Sequence, residues 1–325
     1  MRTMERLSRA YRNAEVLEID PTSKIIIFSD AHRGDGSISD EFSKNRHVFY
    51  AALQYYYDED FTLIEAGDNE DLWEWPKFGH IAKSYPLTYE FIRRFHTHGR
   101  YLRLYGNHDF QTADPNYVRD NLHYVRSPYS GDLEPCLEGV NVHEAILMRH
   151  RDTRQEILIV HGHQGDFAND QAWRWSMFTF RIFWKYAHAL GIRSPSSPTR
   201  NSYKRHKVER NYVRWILRNG RALICGHTHR ERFPRANDAP YFNSGSCVFP
   251  SYITGLEIVE DQISLVTWLV VPDVNGYTRV VRRVIAGPRP LADFDLQPDP
   301  SRHRRPAKSL EDWTTSTRSR IRVRR

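Results

Sequence analysis

The sequence predicts an α/β fold, and three observations carry that prediction. Short β-branched apolar runs alternate with amphipathic stretches of helical period. Five of those runs end, at their C-terminal tips, in Asp, His or Asn. The chain of 325 residues is 40% hydrophobic and 27% charged, which is ordinary for a globular protein and excludes wholesale disorder.

Taken in order, the first run is Lys24 to Phe28, and it ends in Ser29-Asp30-Ala31-His32. A helical stretch over Asn45 to Tyr57 leads to a second strand, Phe61 to Glu65, which runs into Ala66-Gly67-Asp68. A helix over Leu87 to His98 precedes a third strand, Tyr101 to Tyr105, followed by Gly106-Asn107-His108-Asp109. The fourth, Glu156 to Val160, is followed by His161-Gly162-His163, and the fifth, Arg221 to Cys225, by Gly226-His227-Thr228-His229. Further strands are expected around Cys247 to Phe249, Gly255 to Val259, Ile263 to Val271 and Tyr277 to Ile285. Ligands of open α/β sheets bind at the carboxyl ends of strands, so five polar tips are expected to converge on one site.

The segment 170–220 interrupts this pattern. Trp173, Met177, Phe180 and Trp184 form one helical stripe, with Arg174, Arg181 and Lys185 beside it. Pro195 to Pro198 break that helix, and a basic helical stretch, Tyr203 to Asn219, follows. The segment reads as a helical cap inserted into a domain spanning 1–287, with 288–325 a loose basic tail.

Charge is distributed unevenly. The net charge of +7 resides in the tail from Ser301 to Arg325, and the body is neutral. Within that body, 170–220 is strongly basic, a stretch an anionic substrate could use, and the remainder is acidic, an excess a metal site could use. No apolar run reaches the length of a spanning helix, and Met1 to Asp20 carries charges throughout without a signal-peptide core. Three cysteines, Cys136, Cys225 and Cys247, without paired spacing, suit a reducing cytosol and argue against a disulfide framework or a thiolate zinc site. The expected location is cytoplasmic, including peripheral contact at the inner membrane face. Neither a P-loop nor a dinucleotide fingerprint is present.

The five tips supply carboxylates, imidazoles and one amide: Asp30, His32, Asp68, Asn107, His161, His227 and His229. Without thiolates, that set suits manganese, iron or zinc. Seven ligands exceed what one tetrahedral ion takes and match two divalent ions sharing one ligand, for which the carboxylate of Asp68 is the bridging candidate. Two such ions hold attacking and equatorial oxygens at phosphorus and generate hydroxide near neutral pH. His108 is placed to protonate the leaving oxygen, with Asp109 expected to orient it.

Asp30-x-His32, Gly67-Asp68, Gly106-Asn107-His108-Asp109, His161 and Gly226-His227-x-His229 together resemble the calcineurin-like metallophosphoesterase superfamily, over roughly Lys24 to Val271. The resemblance implies a four-layer α/β/β/α sandwich. It implies one metal on Asp30, His32, Asp68 and His229, and a second on Asp68, Asn107, His161 and His227. It also implies a bridging hydroxide attacking phosphorus in line, and His108 with Asp109 as the acid. His163 reads as substrate-facing, as a support to the ligands, or as a plain loop residue.

Gly67-Asp68-Asn69-Glu70-Asp71-Leu72-Trp73-Glu74 and the cap are similar to the UDP-2,3-diacylglucosamine diphosphatase-like branch, which is manganese-dependent and acts on a lipid-linked sugar nucleotide. The chain departs from that branch at His108, where arginine is typical, and in the extension from Pro272 onward. The implied partners are a phosphorylated substrate, lipid-linked or nucleotide, and an anionic membrane surface or nucleic acid touching the basic cap and tail. No obligate protein partner is evident. A metal-dependent nuclease and a catalytically silent binding module are the rival readings.

Overall fold

The computed structural model describes residues 2–127, 130–164 and 202–296, with side chains given for 3–127, 130–164 and 208–296. Helix α1 (Arg2–Arg12) and strand β1 (Glu15–Ile19) open the chain. Then come β2 (Lys24–Phe28), α2 (Arg46–Asp58), β3 (Thr62–Ala66), α3 (Phe78–Ser84), α4 (Pro86–Thr97) and β4 (Tyr101–Leu104). They are followed by α5 (Pro115–Asn121), a small ribbon of β5 (Tyr124–Arg126) and β6 (Leu133–Pro135), β7 (Val142–His143), β8 (Ala145–His150) and β9 (Glu156–Val160). The later elements are α6 (Ser202–Asn219), β10 (Ala222–Cys225), β11 (Tyr241–Asn243), β12 (Tyr252–Val259), β13 (Gln262–Pro272) and β14 (Thr278–Pro290).

Two sheets result. One orders its strands β1-β8-β9-β10-β11, the other β14-β13-β12-β2-β3-β4-β7. The alternation of β2 shows how they stack. Ile25 and Ile27 join Ile64, Ile157, Ile159 and Ile224 in a core between the sheets. Ile26 and Phe28 point the other way, onto Phe49, Ala52 and Leu53 of α2 and Phe91, Ile92 and Phe95 of α4. On the far face, Leu158, Val160, Leu223 and Cys225 pack under Leu7 and Ala10 of α1 and Tyr212, Trp215 and Ile216 of α6. The order is helix, sheet, sheet, helix. Because β2, β3 and β4 are mutually parallel, as are β9 and β10, their C-terminal tips gather at one end.

Several expectations change. The basic stretch read as part of a cap is, over 208–219, a layer of the body, because Tyr212, Trp215 and Ile216 bury on the five-stranded sheet. The loose tail begins later than 288: β14 continues to Pro290, and Leu291 and Phe294 fill the core between the sheets. Cys247 to Phe249 is a loop rather than a strand. The Trp173/Met177/Phe180/Trp184 stripe and residues 297–325 lie outside the described residues.

Candidate metal centre

The tips are tied together by backbone hydrogen bonds before any ligand is considered. The amides of Asp30, His32 and Arg33 donate to the carbonyls of Gly67, Asp68 and Asn69 at 2.9–3.0 Å, extending the β2–β3 pairing into both loops. Gly226 N donates to the carbonyl of His161 at 2.9 Å, which joins the tips of β9 and β10. The amide of His227 reaches the Asp30 carboxylate at 2.9 Å, which joins the two sheets. The loop at Cys247 supports the same place: Cys247 N and Ser246 Oγ donate to the Asp30 carbonyl.

Two glycines permit this closeness. A Cβ on Gly106 would lie 2.1 Å from Asp68 Oδ1 and 2.5 Å from Asp68 N. A Cβ on Gly226 would lie 2.3 Å from Asp30 Oδ2. Asp30, His32, Asp68, His227 and His229 all have positive φ, between 45° and 67°. Such strain in non-glycine residues persists where surrounding structure imposes it, and it concentrates at functional sites.

Among the described residues three groups of side chains could hold a metal ion: six of the expected ligands fall into two of them, and His32 also joins Asp71 and His108 in the third. Asp30 Oδ1 lies 3.1 Å from His229 Nε2, and the Nε2 atoms of His32 and His229 are 3.0 Å apart. Asp68 with His161 and His227 forms the second group. Asp68 Oδ2 faces both, at 3.6 Å from His32 Nε2 and 3.1 Å from His161 Nε2. Its other oxygen is held by the backbone amide of His108 at 2.7 Å.

This donor set fits divalent cations. His161 Nδ1 donates to the carbonyl of Ala66 at 3.0 Å, which leaves Nε2 as a lone pair aimed at an anionic oxygen. That arrangement needs a proton or a cation between them, and a backbone-anchored imidazole is the usual form of a metal ligand. Without a cation, Asp68 outweighs the effect of burial and pushes the His161 pKa up to about 9. The amide oxygen of Asn107 is buried with no hydrogen-bond partner among the described residues, as a ligand oxygen would be. Burial, with His108 nearby, pushes the His32 pKa down to about 4, which keeps its ring neutral and able to coordinate.

A model of the calcineurin-like phosphoesterase family matches residues 23–231, well over half of the chain. The chain belongs to the calcineurin-like phosphoesterase family. The match spans all seven expected ligands, and the two-sheet sandwich is that family's fold. No curated protein matches the chain. Among solved structures, Vps29 of Chaetomium thermophilum is similar at 10% identity, with a TM-score of 0.33, covering 82% of this chain and 96% of that one. Membership makes this chain a metal-dependent phosphoester hydrolase by family, with groups of side chains that could hold a metal ion. No described helix is long and apolar enough to cross a membrane.

The surroundings of His108 differ from expectation. Its Nδ1 donates to Asp71 Oδ1 at 3.1 Å, and its ring stacks on Trp73 with centroids 4.2 Å apart and planes at 18°. Burial opposes a charge on this ring, but Asp71 and Asp68 push its pKa up to about 9. Asp109 does not orient His108. Its carboxylate instead accepts from Gly106 N at 2.6 Å, Asn69 N at 3.0 Å and Arg103 at 3.3 Å, bracing the Gly106 loop against the Asp68 loop. The physical reason is register: Asp109 starts a short 3₁₀ turn that points it inward, while Asp71 lies on the loop facing the imidazole.

Beneath the ligands lies a buried charge network. Arg33 donates to Glu65 at 2.5 Å and to Glu70 at 2.8 Å, and Arg103 pairs with Glu70 and Asp109. Tyr101 and Tyr89 add hydroxyl donors to Glu65 and Glu70. Against the cost of burial, Arg103 and Arg33 hold the Glu70 pKa down to about 2. Removing one partner of such a pair is strongly destabilising, because a buried charge is left uncompensated.

Proposed function

We propose that this phosphoesterase works with two divalent ions, manganese first and iron or zinc as alternatives, to hydrolyse a phosphoester or diphosphate bond. The observation that carries the two-ion reading is Asp68 Oδ2, which faces His32 of one ligand group and His161 of the other. Asp30, His32 and His229 would hold one ion, Asn107, His161 and His227 the other, and Asp68 both. Bound there, the ions supply Lewis-acid charge for phosphoryl oxygens and acidify water toward neutral pH.

The chain's own residues account for the remaining chemistry. Asp71 holds the Nδ1–H of His108 and favours the charged ring, so that Nε2 is the nitrogen that passes a proton to the leaving oxygen. Trp73, stacked on the imidazole, fixes its plane. Asp109, Arg103 and Glu70 keep the two loops in register.

The substrate reading follows from the same loop. Asp71 and Trp73, which contact His108, belong to the Gly67–Glu74 segment similar to the UDP-2,3-diacylglucosamine diphosphatase-like branch. A diphosphate-bearing substrate, lipid-linked or nucleotide, is therefore the preferred class, and cytoplasmic action at a membrane face accords with it. A silent binding module is disfavoured because all seven ligand positions carry ligating side chains.

The test uses aryl phosphate esters of graded leaving-group pKa. Asp68→Ala should abolish turnover. His108→Ala should slow poor leaving groups by about 10²–10⁴-fold and good ones far less. Equal losses across the series would refute the acid role.

A further inference from the structure

Two buried hydrogen-bond donors beside the second ligand group have no acceptor among the described residues. His163 follows the ligand His161 by two residues, and their ring centroids are 5.5 Å apart. It is fully buried, and neither ring nitrogen has a hydrogen-bond partner among the described residues. An imidazole carries at least one N–H in every protonation state, so one donor is unsatisfied whichever tautomer is present. The neighbouring Gln164 is also fully buried. Its Oε1 accepts from Gly162 N at 3.0 Å, which fixes the amide orientation and leaves Nε2 as a donor without an acceptor among the described residues. Leaving such a donor unanswered is costly, and buried polar groups in native proteins are nearly always answered.

Nothing in the roles assigned above uses either residue. The rings of Tyr105 and Phe110 flank His163 at 5.9 and 6.5 Å and offer no acceptor in those ring contacts. The complement of two adjacent donors is an acceptor-rich ligand, and the acceptor-rich species expected beside a phosphoesterase metal group is a phosphoryl oxygen. We propose that His163 and Gln164 form a donor pair that binds a non-bridging phosphoryl oxygen of the substrate. This makes them substrate-binding residues rather than metal ligands, and it rests on the phosphoesterase reading.

The test measures binding rather than turnover. Inorganic phosphate is titrated calorimetrically into the manganese-loaded protein and into His163→Ala, His163→Gln, Gln164→Glu and Gln164→Met, with manganese stoichiometry and melting temperature recorded for each. Gln164→Glu keeps the oxygen that Gly162 needs and replaces the donor with an acceptor. Phosphate affinity should fall about tenfold or more in His163→Ala, Gln164→Met and Gln164→Glu. His163→Gln, which retains a donor, should recover part of the loss, and manganese stoichiometry should not change. Unchanged phosphate affinity in all variants would overturn the proposal and leave a hydrated structural pair. A lowered manganese stoichiometry in His163→Ala would overturn it in favour of a ligand role. A wild-type protein that binds no manganese would instead sink the phosphoesterase reading itself, and this proposal with it.

Discussion

Replacing Gly106 by alanine tests whether the metal centre is set by backbone proximity. The added Cβ would sit 2.1 Å from Asp68 Oδ1, where ordinary contact begins near 3.4 Å, so about 1.3 Å of separation must be found. Rotating the Asp68 carboxylate does not suffice, because Asp68 N lies only 2.5 Å from the same Cβ. One loop must therefore move, and with it the oxygen that faces both ligand groups. Misplacing a reacting group by about 1 Å costs on the order of 10²-fold in rate. Overpacking of this kind costs roughly 1–3 kcal/mol of stability, which lowers the melting temperature by about 2–4 °C per kcal/mol in a domain of this size. The assay pairs manganese calorimetry with aryl phosphate hydrolysis and thermal melting. Gly106→Ala should lose about 10²-fold or more in turnover and bind manganese more weakly, while still melting cooperatively. Activity and manganese affinity within twofold of wild type would refute the claim that Asp68 is held against Gly106 as a shared ligand.

Other expectations are more local. Asp71→Asn preserves shape but removes the charge that favours protonated His108, so it should slow poor leaving groups more than good ones, as read from the dependence of rate on leaving-group pKa. Gly79→Ala lies inside α3, where a Cβ meets nothing within 4 Å, and should raise stability by about 0.5–1 kcal/mol in urea unfolding without altering turnover. Glu156 gives a pH test. Burial opposes its ionisation, but Tyr11, Arg221 and Arg149 donate to it and lower its pKa below the ordinary 4.5. A depressed carboxyl pKa contributes stability above the unfolded value, and that contribution is lost as pH falls through the folded one. Glu156→Gln should therefore be less stable than wild type in urea unfolding at pH 7, and the gap should narrow below about pH 4.

The candidate ligands stand out in the sequence because each follows a short apolar strand, where a polar residue has little structural reason to be. Asp30, His32, Asp68, His161, His227 and His229 gather into groups at the tips, and the alternation within Lys24–Phe28 set both faces of β2. What was missed depends on side-chain direction. Asp71 was passed over for Asp109 because adjacency in sequence does not say which way a loop carboxylate points. Glu65 and Arg103 look like surface charges within strands, and only the fold reveals that Arg33 accompanies the first into the interior and Glu70 the second. Leu291 and Phe294 were hidden among prolines and acids, although they fill the core between the sheets. Strand β8, a plain apolar run, was legible and went unread.

The central claim is that two ions share Asp68. Crystals of the manganese-loaded protein, measured above and below the manganese absorption edge, address it directly. The account predicts two anomalous peaks, one beside Asp30, His32 and His229 and one beside Asn107, His161 and His227, with Asp68 contacting both. A single peak, or peaks away from Asp68, would contradict it.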